Sequence, residues 1–195
     1  MLSCATTRWP VGLPSLLRSD LRAKAAWCYE SESLGAVLRV LLTDGTSSMI
    51  LYRLMQWSGR HGLGPLEMVF NRLNSIFCNC IIGRGAEFGP RFVLVHATGV
   101  VINGRVVGGS GVFLEHQVTI GAERRASPRL GNDVFVGAGA KILGSVSVGD
   151  GARVGANAVV VKDVPPRTTV VGIPAQVVRT REIAAEDAVS AQSER

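Results

Sequence analysis

The pattern of apolar positions between residues 82 and 172 repeats every six residues. An aliphatic or aromatic guide residue recurs at a step of six, with a two-residue slip before Ile102 and a ten-residue step before Leu130. A small or apolar residue follows four places after most guides, and a glycine often follows directly. The guide positions are Ile82, Phe88, Leu94, Ile102, Gly108, Leu114, Ile120, Leu130, Val136, Ile142, Val148, Val154 and Val160.

A period of six fits neither a helix nor a simple strand alternation, and it is typical of a β-solenoid. Each hexad supplies one short strand and one corner, and three hexads close a triangular coil. The region therefore predicts roughly five coils, each burying its guide residues against its neighbours. A parallel sheet with glycine-rich loops is the alternative, but no helix-length crossover interrupts the period.

Helical spacing replaces the hexads in the first part of the chain. It predicts helices over residues 14–30, 33–42, 46–60 and 65–77, the third capped by Thr46 or Ser47. Their apolar stripes are expected to pack against each other and against the first coil, with oligomer contacts as the alternative. The predicted organisation is a helical region at 1–77 with an irregular start at 1–13, a solenoid at 78–179, and a weakly helical or disordered tail at 180–195.

Composition narrows the functional classes. The formal charge is +6, but the basic residues are scattered without a long run, which favours a solvated surface or an anionic small ligand over nucleic acid. The four cysteines lack a disulfide framework and are interpreted as free thiols. No apolar run is long enough to cross a membrane, and no signal peptide is evident. A cytoplasmic protein is the expectation.

Two of the three histidines lie in the hexad region. His96 occupies the two-residue slip, where extra residues push a corner outward, so its side chain is expected to point away from the core. His116 lies one coil later and is the second candidate. A charged segment at 122–129 is four residues too long for a hexad and is predicted to be a loop ejected beside the same edge.

Longer motifs in this region resemble the serine acetyltransferases. The resemblance rests on a His-Ala-Thr-Gly segment at 96–99, a Gly-Ala-Gly-Ala-Lys-Ile-Leu-Gly segment at 137–144, and the ending Val-Lys-Asp-Val-Pro-Pro at 161–166 followed by Val-Gly-Ile-Pro-Ala at 171–175. It covers residues 81–179 well and 14–77 more weakly. It implies a mainly β fold, namely a left-handed parallel β-helix of hexapeptide repeats. It also implies an enzyme that transfers acetyl from acetyl-CoA to a hydroxyl and that assembles as a homotrimer or a dimer of trimers.

The resemblance also implies roles for single residues. His96 matches the general base. Five positions would contact CoA, with small residues against the pantetheine arm and cations at the phosphates. These are Gly121, Ala138, Ala156, Lys162 and Arg179.

At several positions this chain differs from the family, and these are positions that orient the base or bind the acceptor in the family. The acid that orients the base is replaced by Ile81, the acid before the base by Val95, and the family's Arg-His-Pro in the ejected loop by Ala126-Ser127-Pro128. A zwitterionic acceptor such as L-serine needs charged partners. The sequence therefore slightly favours a sugar hydroxyl of a surface glycan, with L-serine as the alternative. The expected substrate contacts are Asn103, Glu115 and Ser127, and Glu115, Arg124 or Arg125 are candidates to rebuild a site for L-serine.

Two other functional classes need consideration. A zinc carbonic anhydrase of this shape needs three imidazoles around the metal, and the chain offers only His96, His116 and His61, so no metal is expected. A non-catalytic trimeric solenoid would not require the His96 slip or the Lys162 ending. The last residues, Ser193-Glu194-Arg195, lack the terminal isoleucine with which the family docks into cysteine synthase, so that complex is not expected.

Overall fold

A computed structural model describes residues 12–123 and 126–180, in which four helices precede a triangular β-solenoid. The helices are α1 (Leu13–Tyr29), α2 (Leu34–Val40), α3 (Thr46–Arg60) and α4 (Gly64–Cys78). The strands are β1 (Ile81–Ile82), β2 (Glu87–Phe88), β3 (Val93–Leu94), β4 (Val101–Ile102), β5 (Val107–Gly108), β6 (Phe113–Leu114), β7 (Thr119–Gly121), β8 (Arg129–Leu130), β9 (Phe135–Val136), β10 (Lys141–Leu143), β11 (Ser147–Val148), β12 (Arg153–Val154), β13 (Val159–Val160), β14 (Thr168–Val171) and β15 (Gln176–Thr180).

The strands form the three faces of the prism. The first sheet has the order β1-β4-β7-β10-β13, the second β11-β8-β5-β2 and the third β15-β14-β12-β9-β6-β3. Neighbouring strands are parallel and in register, except that β15 returns antiparallel to β14. Four coils carry a strand in every sheet. In the fifth, the second strand is reduced to a bridge between Val164 and Val148. The solenoid and its hexad period are therefore confirmed.

The guide residues form the core of the prism, and each apolar one is at most 5% exposed. Ile82, Ile102, Ile120, Ile142 and Val160 stack directly above one another in the first sheet. This stacking is why the hexad period is so regular: each coil buries its apolar surface only against its neighbours.

The one guide position without an apolar side chain is explained by its neighbour. Gly108 lies beside Phe88 in the second sheet, and a Cβ atom on Gly108 would lie 2.3 Å from Cδ1 of Phe88. The phenyl ring of the first coil thus fills the space that a side chain at Gly108 would take.

The helical region covers the open end of the first coil. Between coils, amides of one coil donate to carbonyls of the next, as Gly83 N donates to Ile102 O at 2.8 Å. The carbonyls of the first coil have no preceding coil, and side chains of the helices take its place. The donors are Asn71 for Ile82 O (2.7 Å), Tyr52 for Ala86 O (3.1 Å), Arg53 for Phe88 O and Gly89 O (2.8 and 2.6 Å), and Lys24 for Leu94 O (2.9 Å).

A buried ion pair fixes this cap. The Arg53 guanidinium binds both carboxylate oxygens of Asp20, at 2.7 and 3.1 Å, and the same carboxylate accepts a hydrogen bond from Phe92 N at 3.0 Å. Both side chains are almost completely buried. Burial raises the pKa of Asp20, whereas Arg53 opposes that rise. The pair satisfies two charges while it holds α1 and α3 on the first coil.

The helix bounds agree with the sequence to within two residues, but two expectations about the helices are wrong. The N-cap of α3 is Gly45, which has a left-handed conformation (φ 80°) and makes no side-chain cap, rather than Thr46 or Ser47. The apolar stripe of α4 is largely solvent-exposed in this chain, with Phe77 at 77%. α4 contacts the coil through Phe70, Cys78 and Asn71, but much of the rest of its apolar stripe has no partner within the described residues.

None of the described helices is both long and apolar enough to span a membrane. The irregular start expected for residues 1–13 lies almost entirely outside the described residues, as does the tail after Thr180.

Replacing Asp20 with Asn should lower the free energy of unfolding by about 3–5 kcal/mol, because the buried Arg53 charge would lose its counter-charge. Urea unfolding followed by circular dichroism measures this change. The matched control is Asp133→Asn, which breaks the exposed pair of Arg91 and Asp133 (3.2 Å) and should cost about 1 kcal/mol or less. Equal losses in the two variants would show that the buried pair does not hold the cap.

Candidate active site

His96 lies at the corner between the third and first sheets, in the first coil. The corner is two residues longer than a hexad, and Gly99 closes it with a left-handed conformation (φ 73°) while its amide donates to Asn79 O at 2.8 Å. The His96 side chain is 54% exposed. The expectation that the slip turns this imidazole outward is confirmed.

The acid beside His96 comes from the helical region. Oδ2 of Asp44, in the turn between α2 and α3, lies 3.2 Å from Nδ1 of His96. The other oxygen, Oδ1, accepts a hydrogen bond from the amide of Gly45 at 2.8 Å, which orients the carboxylate. Ile81 indeed supplies no acid, and Asp44 instead reaches the imidazole from 52 residues away in the chain.

His116 approaches the same corner from the second coil. The rings of His96 and His116 lie edge to face, with centroids 5.9 Å apart. Oε2 of Glu115 lies 3.8 Å from Nδ1 of His116. The site therefore groups two imidazoles, each with a carboxylate nearby. The sequence predicted His96, His116 and Glu115 for the site, whereas Asp44 was missed.

Small residues continue this corner along the prism. The amide of Gly139 donates to His116 O at 2.9 Å, and the amide of Asn157 donates to Ala138 O at 2.8 Å. His116, Ala138 and Ala156 thus occupy equivalent corners of successive coils. The half-buried Ala138 and the exposed Ala156 leave the backbone of this column open, as a narrow arm such as pantetheine requires.

The remaining predicted contacts lie elsewhere on the prism. Gly121 ends β7 and accepts a hydrogen bond from Gly144 N at 3.1 Å. Oγ of Ser127 donates to Oδ1 of Asn103 at 3.3 Å, so these two are brought together, but at the opposite end of the first sheet's strands from His96. Arg124 and Arg125 lie outside the described residues.

The two cations assigned to CoA phosphates are on the last coil. Lys162 follows β13, and Arg179 lies on β15, where it pairs with Thr169 of β14. Both are solvent-exposed. They are thus on the coil farthest from the helical cap, but Lys162 lies beyond the carboxyl ends of the first sheet's strands and not in the corner column that starts at His96.

His61 does not join the other two histidines. It ends α3, where Nδ1 lies 2.8 Å from Trp57 O and the ring lies 4.5 Å from that of Trp57. Within residues 12–123 and 126–180, no group of three or more His, Cys, Asp or Glu side chains is arranged to hold a metal ion.

Comparison with known proteins agrees with this architecture. Residues 127–162 match the family described as bacterial transferase hexapeptide (six repeats). A serine acetyltransferase of Mycobacterium tuberculosis is 40% identical over 167 residues, which are 83% of this chain and 72% of that protein. The chain spans a smaller share of other relatives, for example 52% of the Escherichia coli serine acetyltransferase.

Solved structures give the same result. A Brucella abortus serine acetyltransferase in complex with coenzyme A is 29% identical, with a TM-score of 0.76, over 87% of this chain and 68% of that one. Soybean serine acetyltransferase complexed with serine is 34% identical, with a TM-score of 0.74, over 85% and 70%.

These likenesses confirm the expected fold, the acyltransferase class and acetyl-CoA as co-substrate. They do not support the sugar hydroxyl that the sequence slightly favoured, and the alternative, L-serine, fits them better. The chain belongs to the serine acetyltransferase family, as its hexapeptide repeats and its His-Ala-Thr-Gly corner had indicated.

Proposed function

We propose that this protein transfers the acetyl group of acetyl-CoA to the hydroxyl of L-serine, with His96 as the general base. The observation that supports this most directly is the pair of His96 and Asp44 on the outward corner of the first coil. The pair is exposed enough for substrates to reach it and lies beside the column of small residues suited to CoA.

The geometry favours one tautomer of the base. With Nδ1–H donating to Asp44, Nε2 of His96 is free to accept a proton. Nε2 removes the proton of the acceptor hydroxyl as its oxygen attacks the thioester carbonyl carbon. When the tetrahedral intermediate collapses, the CoA sulfur leaves and takes that proton back from the imidazolium. Asp44 stabilises the imidazolium between these steps. General-base assistance of this kind contributes about 10²- to 10⁴-fold.

The carboxylates at the corner support L-serine as the acceptor. The preference for a sugar depended in part on the missing acids at positions 81 and 95, and that part fails because Asp44 and Glu115 both lie beside the imidazoles. A carboxylate partly removed from water is a suitable partner for the substrate ammonium group. The likeness to a soybean enzyme that binds serine points in the same direction.

The CoA molecule is proposed to follow the corner column away from the helical cap. Its reactive end would lie at His96, its pantetheine arm along Ala138 and Ala156, and its phosphates toward the last coil, which carries Lys162 and Arg179. Small residues permit close backbone approach, and lysine and arginine suit phosphate groups.

A homotrimer, or a dimer of trimers, is proposed as the working assembly, with CoA bound between neighbouring prisms. Apolar side chains are exposed on the outer face of the first sheet and beside it, notably Ile81 (49%) and Val161 (50%). The uncovered stripe of α4 adds to this apolar surface. Such surface on a thin prism is typical of a contact region.

Replacing His96 with Ala should lower kcat/KM by about a hundredfold or more, because proton removal from the hydroxyl is lost. CoA binding, measured by calorimetry, should change little. The matched control is His116→Ala, which should cost much less, because His116 has the looser carboxylate contact. A larger loss in the His116 variant than in the His96 variant would move the base to His116.

L-serine should be acetylated with kcat/KM of about 10⁴ M⁻¹s⁻¹ or more, measured by release of the free thiol. The control acceptor 3-hydroxypropionate keeps the hydroxyl and the carboxylate but lacks the amine, and it should react far more slowly if Asp44 and Glu115 hold the ammonium group. A panel of sugars tests the competing acceptor, and a sugar that reacts faster than L-serine would contradict the assignment.

The assembly predicts a particle of three chains, or six, in solution. Light scattering at micromolar concentration should give a mass of three or six times 20.7 kDa. Val161→Asp should weaken the association, because it places a charge on the exposed apolar surface, while Asp133→Asn, at an exposed corner beside the third sheet, should not. A monomeric wild-type protein would refute the proposed assembly.

A further inference from the structure

The ammonium group of Lys24 lies behind the candidate active site, inside the fold. Lys24 is on α1 and is completely buried. It donates to Leu94 O at 2.9 Å and also to Asp44 O. One buried cation therefore joins a helix, the turn between α2 and α3, and the first coil.

Both of these carbonyls belong to the segments that carry the catalytic pair. Leu94 is two residues before His96, and Asp44 is the acid itself. The turn that carries Asp44 also packs closely against Leu94. A Cβ atom on Gly45 would lie 2.4 Å from Leu94 O and 3.0 Å from Nζ of Lys24. One ammonium group thus lies between the backbone segments that carry the acid and the base.

Burying this charge has a cost. Burial lowers the pKa of Lys24 to about 8, while the Asp44 carboxylate and, more strongly, Cys28 oppose that shift. Between about pH 8 and the ordinary value of 10.5 the unfolded chain binds a proton that the folded chain does not, so stability should rise with pH there. At neutral pH the charged form is retained against that cost. A neutral side-chain donor would be enough to cap Leu94 O alone, as the side-chain amide of Asn71 does for Ile82 O.

We propose that Lys24 is a positioning residue for the pair of His96 and Asp44, holding the acid at hydrogen-bonding distance from the base by binding the backbones of both segments. The inference rests on the proposed role of His96. It adds a residue from the helical region that does not touch substrate and acts through Asp44.

The test compares Lys24→Met with Asn71→Leu. Both variants remove one side-chain cap from the first coil, but only Lys24 also binds Asp44. Both should lower the midpoint of urea unfolding. Only Lys24→Met should lower kcat/KM, by up to about fivefold, the size expected from losing a partly exposed ion pair. The KM for acetyl-CoA should stay unchanged.

The pH profile separates positioning from simple charge. Asp44→Asn removes the carboxylate that stabilises the imidazolium, so the acid limb of kcat/KM should move to lower pH. Lys24→Met should move it in the same direction if Lys24 positions Asp44. Losing only the nearby positive charge would move the limb to higher pH, and that result, or an unmoved limb, overturns the proposal.

A second variant covers the case in which Lys24→Met does not fold. Gly45→Ala keeps the ammonium group but forces the turn away from Leu94, so it should give the same shift of the acid limb. Two double variants complete the test, in which Asp44→Asn is combined with either Lys24→Met or Gly45→Ala. Neither should lose more activity than Asp44→Asn alone, because both effects act through Asp44. Additive losses would refute the proposal.

The outcome for His96→Ala keeps the two proposals apart. If that variant retains full activity, the proposed function fails. If it is inactive while the Lys24 and Gly45 variants behave like Asn71→Leu, only the positioning role fails.

Discussion

The open end of a solenoid leaves a row of backbone carbonyls without partners, and the rest of this structure depends on how that row is capped. In every later coil these carbonyls accept hydrogen bonds from the coil before, but the first coil has none before it. A buried carbonyl without a donor costs about 1–3 kcal/mol. The helical region supplies the missing donors through Lys24, Tyr52, Arg53 and Asn71. Its fold serves as the terminal cap that a repeat architecture requires.

This cap also brings chemistry to the solenoid. The hexad region has an imidazole at an outward corner but no acid beside it at position 81. The turn after α2 is held against that corner by the same lysine that caps Leu94, and it carries Asp44. The candidate site therefore lies at the junction between helices and coils, where the requirement for capping and the requirement for an oriented base are met by neighbouring groups.

Family membership and local chemistry are consistent with each other once this junction is considered. In the sequence alone, Ile81 and Val95 suggest a site that has lost its acids and therefore prefers a neutral acceptor. Asp44, with Glu115 beside His116, returns carboxylates to the corner from other parts of the chain. A substitution at one aligned position is thus a poor guide to acceptor chemistry, because a charge can be supplied from any segment that packs nearby.

The sequence by itself determined the solenoid, the buried guide positions and the outward corner of His96, because all of these follow from spacing between near neighbours. The hexad from Ile82 to Val160 is a local, periodic signal, and the slip before Ile102 marks where the period is broken. The sequence could not reveal the roles of Lys24 and Asp44. In the sequence Lys24 is one charged position of a predicted helix, although its ammonium group binds a carbonyl 70 residues away. Only the tertiary structure decided which polar residues of the helices meet the coil's open end, since such contacts depend on three-dimensional packing and leave no periodic trace in the chain.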